Sequence, residues 1–243
     1  MKKLLLILSI SLFLCQSVFS QENESPVFYK LFLSCSYGNT APNDINNLYN
    51  SITDNYKSLG IPIQTQKGFG GMLMANAGLQ VSMLKDINAG ISFGYSYKPA
   101  FSKYKDYAGS LNIDGSIKVF ELLLLAEYIP SKIGIFPVII GTQVGFCHTS
   151  AQIVEELRLS DFSEFNYDRK ISMDGWGPCL QITIGTSISL GVFIVALEGG
   201  YEQSWNQSTE QLEESTTGTE KLAPKINIGL NGFIFDLSFG IQF

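Results

Sequence analysis

From Phe28 onward the chain alternates apolar residues with polar or small ones. Tyr29, Leu31, Leu33, Cys35 and Tyr37 share one face of the first run, opposite Lys30, Ser34, Ser36 and Gly38, with Phe32 the single exception. A second run sets Leu73, Ala75, Ala77, Leu79, Val81 and Met83 against Asn76, Gly78, Gln80 and Ser82. After the short turn at Lys85-Asp86, a third sets Ala89, Ile91, Phe93, Tyr95 and Tyr97 against Asn88, Gly90, Ser92, Gly94, Ser96 and Lys98. A period of two is the side-chain spacing of a strand with unlike faces, and a helix does not produce it.

The fourth run, 114–128, changes phase near Val119 and Phe120, which predicts a β-bulge there. Beyond it, Phe120, Leu122, Leu124, Ala126 and Tyr128 oppose Glu121 and Glu127. The fifth run sets Phe136, Val138, Ile140, Thr142, Val144 and Phe146 against Gly141, Gln143 and Gly145. The sixth sets Trp176, Pro178, Leu180, Ile182 and Ile184 against Gly175, Gly177, Gln181, Thr183 and Gly185. In the seventh, Phe193, Val195, Leu197 and Tyr201 oppose Glu198, Gly200 and Glu202. The last is the most regular: Phe233, Phe235, Leu237, Phe239, Ile241 and Phe243 against Asp236, Ser238, Gly240 and Gln242. Asn231-Gly232 just before it is a hairpin signal. A bulge at that point accounts equally for the parity change after Ile226, Ile228 and Leu230, and it keeps both chain ends on one side.

In a soluble sandwich the apolar face would point into a shared core. Here the opposite faces are Gly, Ser, Asn and Gln, which suit a narrow barrel interior, and the apolar faces suit lipid. The connections between runs alternate long and short: 39–69, 99–113, 148–173 and 205–222 against 84–87, 130–134 and 186–189. Short turns at one rim and long loops at the other are what a transmembrane barrel requires. Aromatic residues sort to match, with Tyr37, Tyr95, Tyr97, Trp176 and Tyr201 at the long-loop ends and Tyr29, Tyr128, Phe136, Phe193 and Phe243 at the short-turn ends. The expected fold is an all-β, closed antiparallel transmembrane barrel of about eight strands. The first long loop adds a short helix, since Ile45, Leu48, Tyr49, Ile52, Tyr56 and Leu59 lie on one helical face between an Asn43 or Asp44 N-cap and a Gly60 C-cap.

The amino terminus adds a compartment. Lys2 and Lys3, the apolar run 4–14 and the small residues around Val18-Phe19-Ser20 form a signal peptide over 1–20, leaving 21–243 as the barrel domain. The formal charge of -6 becomes -8 without the two lysines. Such acidity argues against nucleic acid as partner. The uninterrupted apolar stretches are too short for a membrane-crossing helix, yet 45% of residues are hydrophobic. Cys35, Cys147 and Cys179 remain after processing, with no CxxC-type spacing, so the sequence predicts no metal or cofactor and reads them as small apolar wall residues.

With these runs in hand, the chain resembles the PorT-like outer-membrane β-barrels. The resemblance rests on the signal ending before Gln21, on VFELLLLAEY from Val119 to Tyr128, and on the terminal FIFDLSFGIQF from Phe233 to Phe243. It implies a cell outer-membrane location, contact with outer-membrane lipid, and Phe243 as the insertion signal read by the barrel-assembly machinery. It also implies an envelope protein partner, one branch of the family being linked to protein secretion.

Two sets of residues offer chemistry. The histidine His148, with Ser150 two residues on and on the same face, resembles the paired residues of outer-membrane lipid A deacylases, with Glu155, Glu156 or Glu164 as candidate acid. Lys30, Glu121, Glu127, Glu198 and Asp236 face the interior and form a candidate polar network, with Lys118 and Lys225 as further partners. The acidic loop residues lack calcium-loop spacing and read as solvated surface. The sequence thus favours a non-enzymatic barrel with a structural or interaction role, accessory to a secretion or envelope complex. The alternatives are binding or passage of a small apolar ligand under the loop helix, and lipid hydrolysis at His148 and Ser150.

Overall fold

The computed structural model describes residues 28–38, 42–65, 69–133, 136–161, 164, 166–208, 210–215, 218–221 and 226–243; the expected signal peptide lies outside them, as does Lys225. Eleven strands and one helix follow in chain order. They are β1 (Tyr29–Gly38), α1 (Asn43–Ser58), β2 (Gln64–Thr65), β3 (Met72–Leu84), β4 (Ile87–Lys105), β5 (Gly109–Ile133), β6 (Phe136–Leu159), β7 (Tyr167–Leu190), β8 (Phe193–Ser204), β9 (Glu210–Ser215), β10 (Gly218–Lys221) and β11 (Asn231–Gln242). Eight of them close a ring of antiparallel neighbours, β1-β3-β4-β5-β6-β7-β8-β11, with β11 pairing back onto β1. Closure leaves no free edge in the wall, the condition for a sheet in hydrocarbon. The remaining strands decorate the external rim, where β9 pairs with β7 and β2 with β4.

The alternation predicted for the wall is observed. Leu33, Leu124 and Phe235 point outward and are more than 60% exposed, while Gln80, Ser92, Gln181 and Thr183 point inward and are buried. A closed ring with a continuous outward belt of Leu, Ile, Val and Phe is a transmembrane outer-membrane barrel. Tyr29 and Phe243 exchange backbone hydrogen bonds of 3.0 and 2.9 Å and stack at 6.1 Å, so both described ends leave from the same rim. Phe32, the exception in the first run, is also explained. It turns inward opposite Gly78 and fills the space where a side chain at Gly78 would stand.

The expected phase break in the fourth run does not occur. β5 pairs without interruption from Ser110 to Tyr128 on one side and from Gly109 to Tyr128 on the other, and its irregularity lies between Tyr128 and Ser131. What changes at Val119 and Phe120 is the medium that each face meets. Below, the outward residues Phe120, Leu122 and Leu124 face lipid. Above, the inward residues Leu111, Ile113, Ile117 and Val119 are buried and the outward Asp114 and Lys118 are exposed. Lys118 is therefore not an interior partner. β5 runs for 25 residues, far more than the roughly 9–11 that cross a bilayer, and its surplus with that of its neighbours builds a wall above the membrane. Much of the expected long loops at 99–113 and 148–173 is thus strand, and the turn expected at 186–189 falls instead at Gly191, whose φ of 69° suits glycine. Asn231-Gly232 forms neither hairpin nor bulge but opens β11, while Ile228 and Leu230 turn inward beneath the helix.

Candidate functional site

The external wall is capped from inside. α1 buries Ile45, Tyr49, Ile52 and Thr53, with Leu48 and Tyr56 packed alongside, as the helical spacing predicted; Leu59 is exposed. Pro42 occupies the N-cap position rather than Asn43 or Asp44, and Gly60 follows the helix at φ 83°. Tyr49 meets Phe69 edge to face at 5.5 Å, and both rings occupy space that a side chain at Gly115 would fill. The Tyr49 hydroxyl donates to the Ile113 carbonyl at 3.3 Å and lies 2.9 Å from Ser102 Oγ. Below this apolar layer of Ile113, Ile117, Ile153, Ile171, Ile228 and Leu230 the lumen turns polar.

All five residues assigned to the interior network lie in the lumen or along its wall. Asp236 accepts hydrogen bonds from Ser34 and Ser36 at 2.9 and 2.7 Å. Glu127 accepts from Gln80 and from Asn88, the latter at 3.3 Å. Glu198 accepts from Thr183 at 2.6 Å, and Glu121 from Gln181 at 3.2 Å. Lys30 reaches the same space with its ammonium 5.6 Å from the Phe32 ring centre. The space left among these groups is about 40 Å³, room for a few waters. Toward the short-turn rim it widens into a cup of about 660 Å³ lined in part by Lys85, Asp86 and Lys132. Beyond the five residues assigned, the network takes in the Ser, Asn, Gln and Thr donors that meet these acids and also Cys179 and Glu202, whose side chains approach each other at 3.8 Å. The alternation already placed Gln181 and Glu202 inward, but nothing in the sequence said which inward residues meet across the lumen.

His148 and Ser150 are on the lipid-facing side of β6, at the outer interface. His148 Nε2 lies 2.9 Å from Asp174 Oδ1, and its ring sits 4.5 Å from Trp176. Ser150 stands opposite Asp174 in the register, so the acid nearest the pair is Asp174 and none of the three glutamates proposed. No hydrogen bond joins His148 to Ser150 among the described residues; the His148 Nε2 is engaged with Asp174 instead. Glu155 points the other way. It is buried beneath α1, 3.5 Å from Arg169 and accepting from Tyr56 at 3.3 Å. Asp168 pairs with Arg158. Glu155 thus departs from the solvated surface expected of the loop acids, while Asp161, Glu164 and the ion-paired Asp168 are exposed.

Burial first, and the negative Glu155 second, push the Tyr56 phenol up to about 12 from its ordinary value near 10. An acid whose pKa is raised by folding contributes fully while it is neutral in both states, and that contribution is lost as pH climbs through the folded value. Docking of α1 is expected to hold up to about pH 10 and weaken toward pH 12. Tyr56→Phe should remove that step, checked by the fluorescence of a dye attached at Asn50→Cys. A transition unchanged in Tyr56→Phe would assign it to another group.

No family model matches the chain, and no curated protein matches it. Solved structures that resemble it are outer-membrane proteins. Ail, the attachment invasion locus protein of Yersinia pestis, is 11% identical, with 89% of this chain and 98% of that one covered at a TM-score of 0.42. A major outer membrane protein from Thermus thermophilus is 11% identical over 88% of this chain and 99% of that one, at 0.47. OprG from Pseudomonas aeruginosa is 10% identical over 89% and 95%, at 0.44. At these identities and scores the likeness assigns no role.

Proposed function

We propose that this chain is a closed, non-enzymatic outer-membrane barrel that acts through its external wall, as a structural or interaction component of the envelope. The observation that supports this reading is the double closure of the lumen: a polar network from β1 across to β8, and above it an apolar layer sealed by α1. A barrel built for passage keeps a water-filled interior. Here the interior is spanned by its own side chains, and the helix packs on the wall rather than over a ligand space.

The PorT-like resemblance fits this reading and adds accessory work beside a secretion or envelope complex. Phe243, exposed at the rim beside Tyr29, is on this reading the terminal aromatic that the assembly machinery recognises. Conductance in planar bilayers tests the closure. The wild-type barrel is expected to pass no stable single-channel current at neutral pH, and steady ion-selective openings would overturn the reading in favour of a pore.

A further inference from the structure

Where the polar network meets the apolar cap, three buried side chains from three strands converge. Glu121 of β5, Cys179 of β7 and Glu202 of β8 each offer a ligand atom, and these atoms all lie within 4.8 Å of one another. Cys179 Sγ is 3.9 Å from Glu121 Oε1 and 3.8 Å from Glu202 Oε1. Glu121 is fully buried and Glu202 and Cys179 are 2% and 1% exposed. Two carboxyl groups this far from water must share a proton between them or be compensated by a positive charge. Among the described residues no Lys, Arg or His lies within ion-pair distance of either; the ion pairs are Lys57–Asp54, His148–Asp174, Arg158–Asp168 and Arg169–Glu155.

A second observation points into the same place. Asn206 is fully buried, and its Oδ1 has no hydrogen-bond partner, although its Nδ2 donates to the Cys147 carbonyl and to Thr149 Oγ1, each at 3.0 Å. That orphaned oxygen occupies the space a side chain at Gly177 would fill. Glu121, Cys147 and Gly177 form one inward row across β5, β6 and β7, and Cys179 is the next inward residue along β7. The Asn206 amide thus lies over Gly177, one inward position along β7 from Cys179 and in the same row as Glu121. The separations also fit an ion. Zinc bonds of about 2.3 Å to sulfur and about 2.0 Å to oxygen at a tetrahedral angle place the two ligands about 3.5 Å apart, close to the thiol-carboxylate distances found.

We propose that Glu121, Cys179 and Glu202, completed by Asn206 Oδ1, form a buried site for a divalent transition-metal ion of the zinc class. A thiolate with carboxylates selects such an ion over magnesium or calcium, which take oxygen alone. Binding releases to solvent the thiol proton and the proton shared by the two carboxyl groups, and changes no oxidation state. The ion ties β5, β7 and β8 together across the lumen, beneath the apolar cap. The spacing of the cysteines concealed this site because only one of them contributes a ligand, and the other ligands arrive from strands distant in sequence.

Cobalt(II) added to the full barrel, purified in detergent with a chelator and carrying Cys35→Ser to silence the exposed thiol, is the direct probe. A thiolate-to-cobalt charge-transfer band is expected at one equivalent and should vanish in Cys179→Ser. Glu121→Gln and Glu202→Gln, which keep side-chain volume, should each weaken cobalt binding by more than the roughly 10–100-fold that loss of a supporting residue alone costs. Zinc should displace the band. The absence of a band in the folded parent, or a band that persists in both glutamine variants, would overturn the site and leave a carboxyl pair held together by hydrogen bonding alone. Heat-modifiable migration on gels reports folding of each variant, and the glutamine pair decides the matter if Cys179→Ser does not fold.

Discussion

Phe69→Ala is expected to release α1 from the external wall while the eight-stranded ring stays assembled. Phe69 is fully buried, lies edge to face with Tyr49 at 5.5 Å, and fills the niche left by Gly115. Truncating a buried phenylalanine costs about 3–5 kcal/mol, because lost transfer energy is joined by a cavity that the wall cannot collapse to fill. A 16-residue helix has little stability of its own in water, so most of what holds α1 comes from this contact surface. The loss should appear as rapid amide hydrogen exchange over 43–58, with protection of the lipid-facing strands retained. Unchanged protection in the helix would show that the apolar layer does not hold it.

Leu237→Arg is expected to cost about 2–4 kcal/mol of barrel stability, measured by urea unfolding in lipid vesicles. Leu237 lies midway along β11 with its side chain outward, between Cys35 of β1 and Leu197 of β8 in the register. A guanidinium there must enter hydrocarbon or drag water in. Its neighbour Ser238 points into the lumen and is 8% exposed, so Ser238→Asn meets polar groups and should cost much less. Equal losses at the two positions would mean that the faces are reversed.

The wall of the barrel was legible because lipid imposes a rule on each residue separately: outward means apolar, and the strand alternates. From Phe233 to Phe243 every outward residue is apolar, and Ile234 is the one apolar residue that points inward. Above the membrane the rule turns over. Water then lies outside, and the only apolar refuge is the interior, so Ile113, Ile117 and Val119 carry the opposite parity on the same straight strand. Read alone, that reversal imitates a bulge, since a sequence shows which parity is apolar and not which medium lies beyond it. The same limit explains the long strands taken for loops.

For the candidate chemistry the division is similar. The sequence put His148 and Ser150 on one face and Glu121, Glu127, Glu198 and Asp236 on the other, because alternation is local. It could not name partners. Asp174 beside His148, Tyr56 over Glu155, and Cys179 between Glu121 and Glu202 all depend on which strands are neighbours and on how residues stagger around a closed ring. Period and composition by themselves determined the strand type, the lipid face and the amphipathic helix, since each follows from the solvent that a residue must meet. Closure of the ring decided the rest, because distances across a lumen are set by shear and stagger, which no single strand encodes.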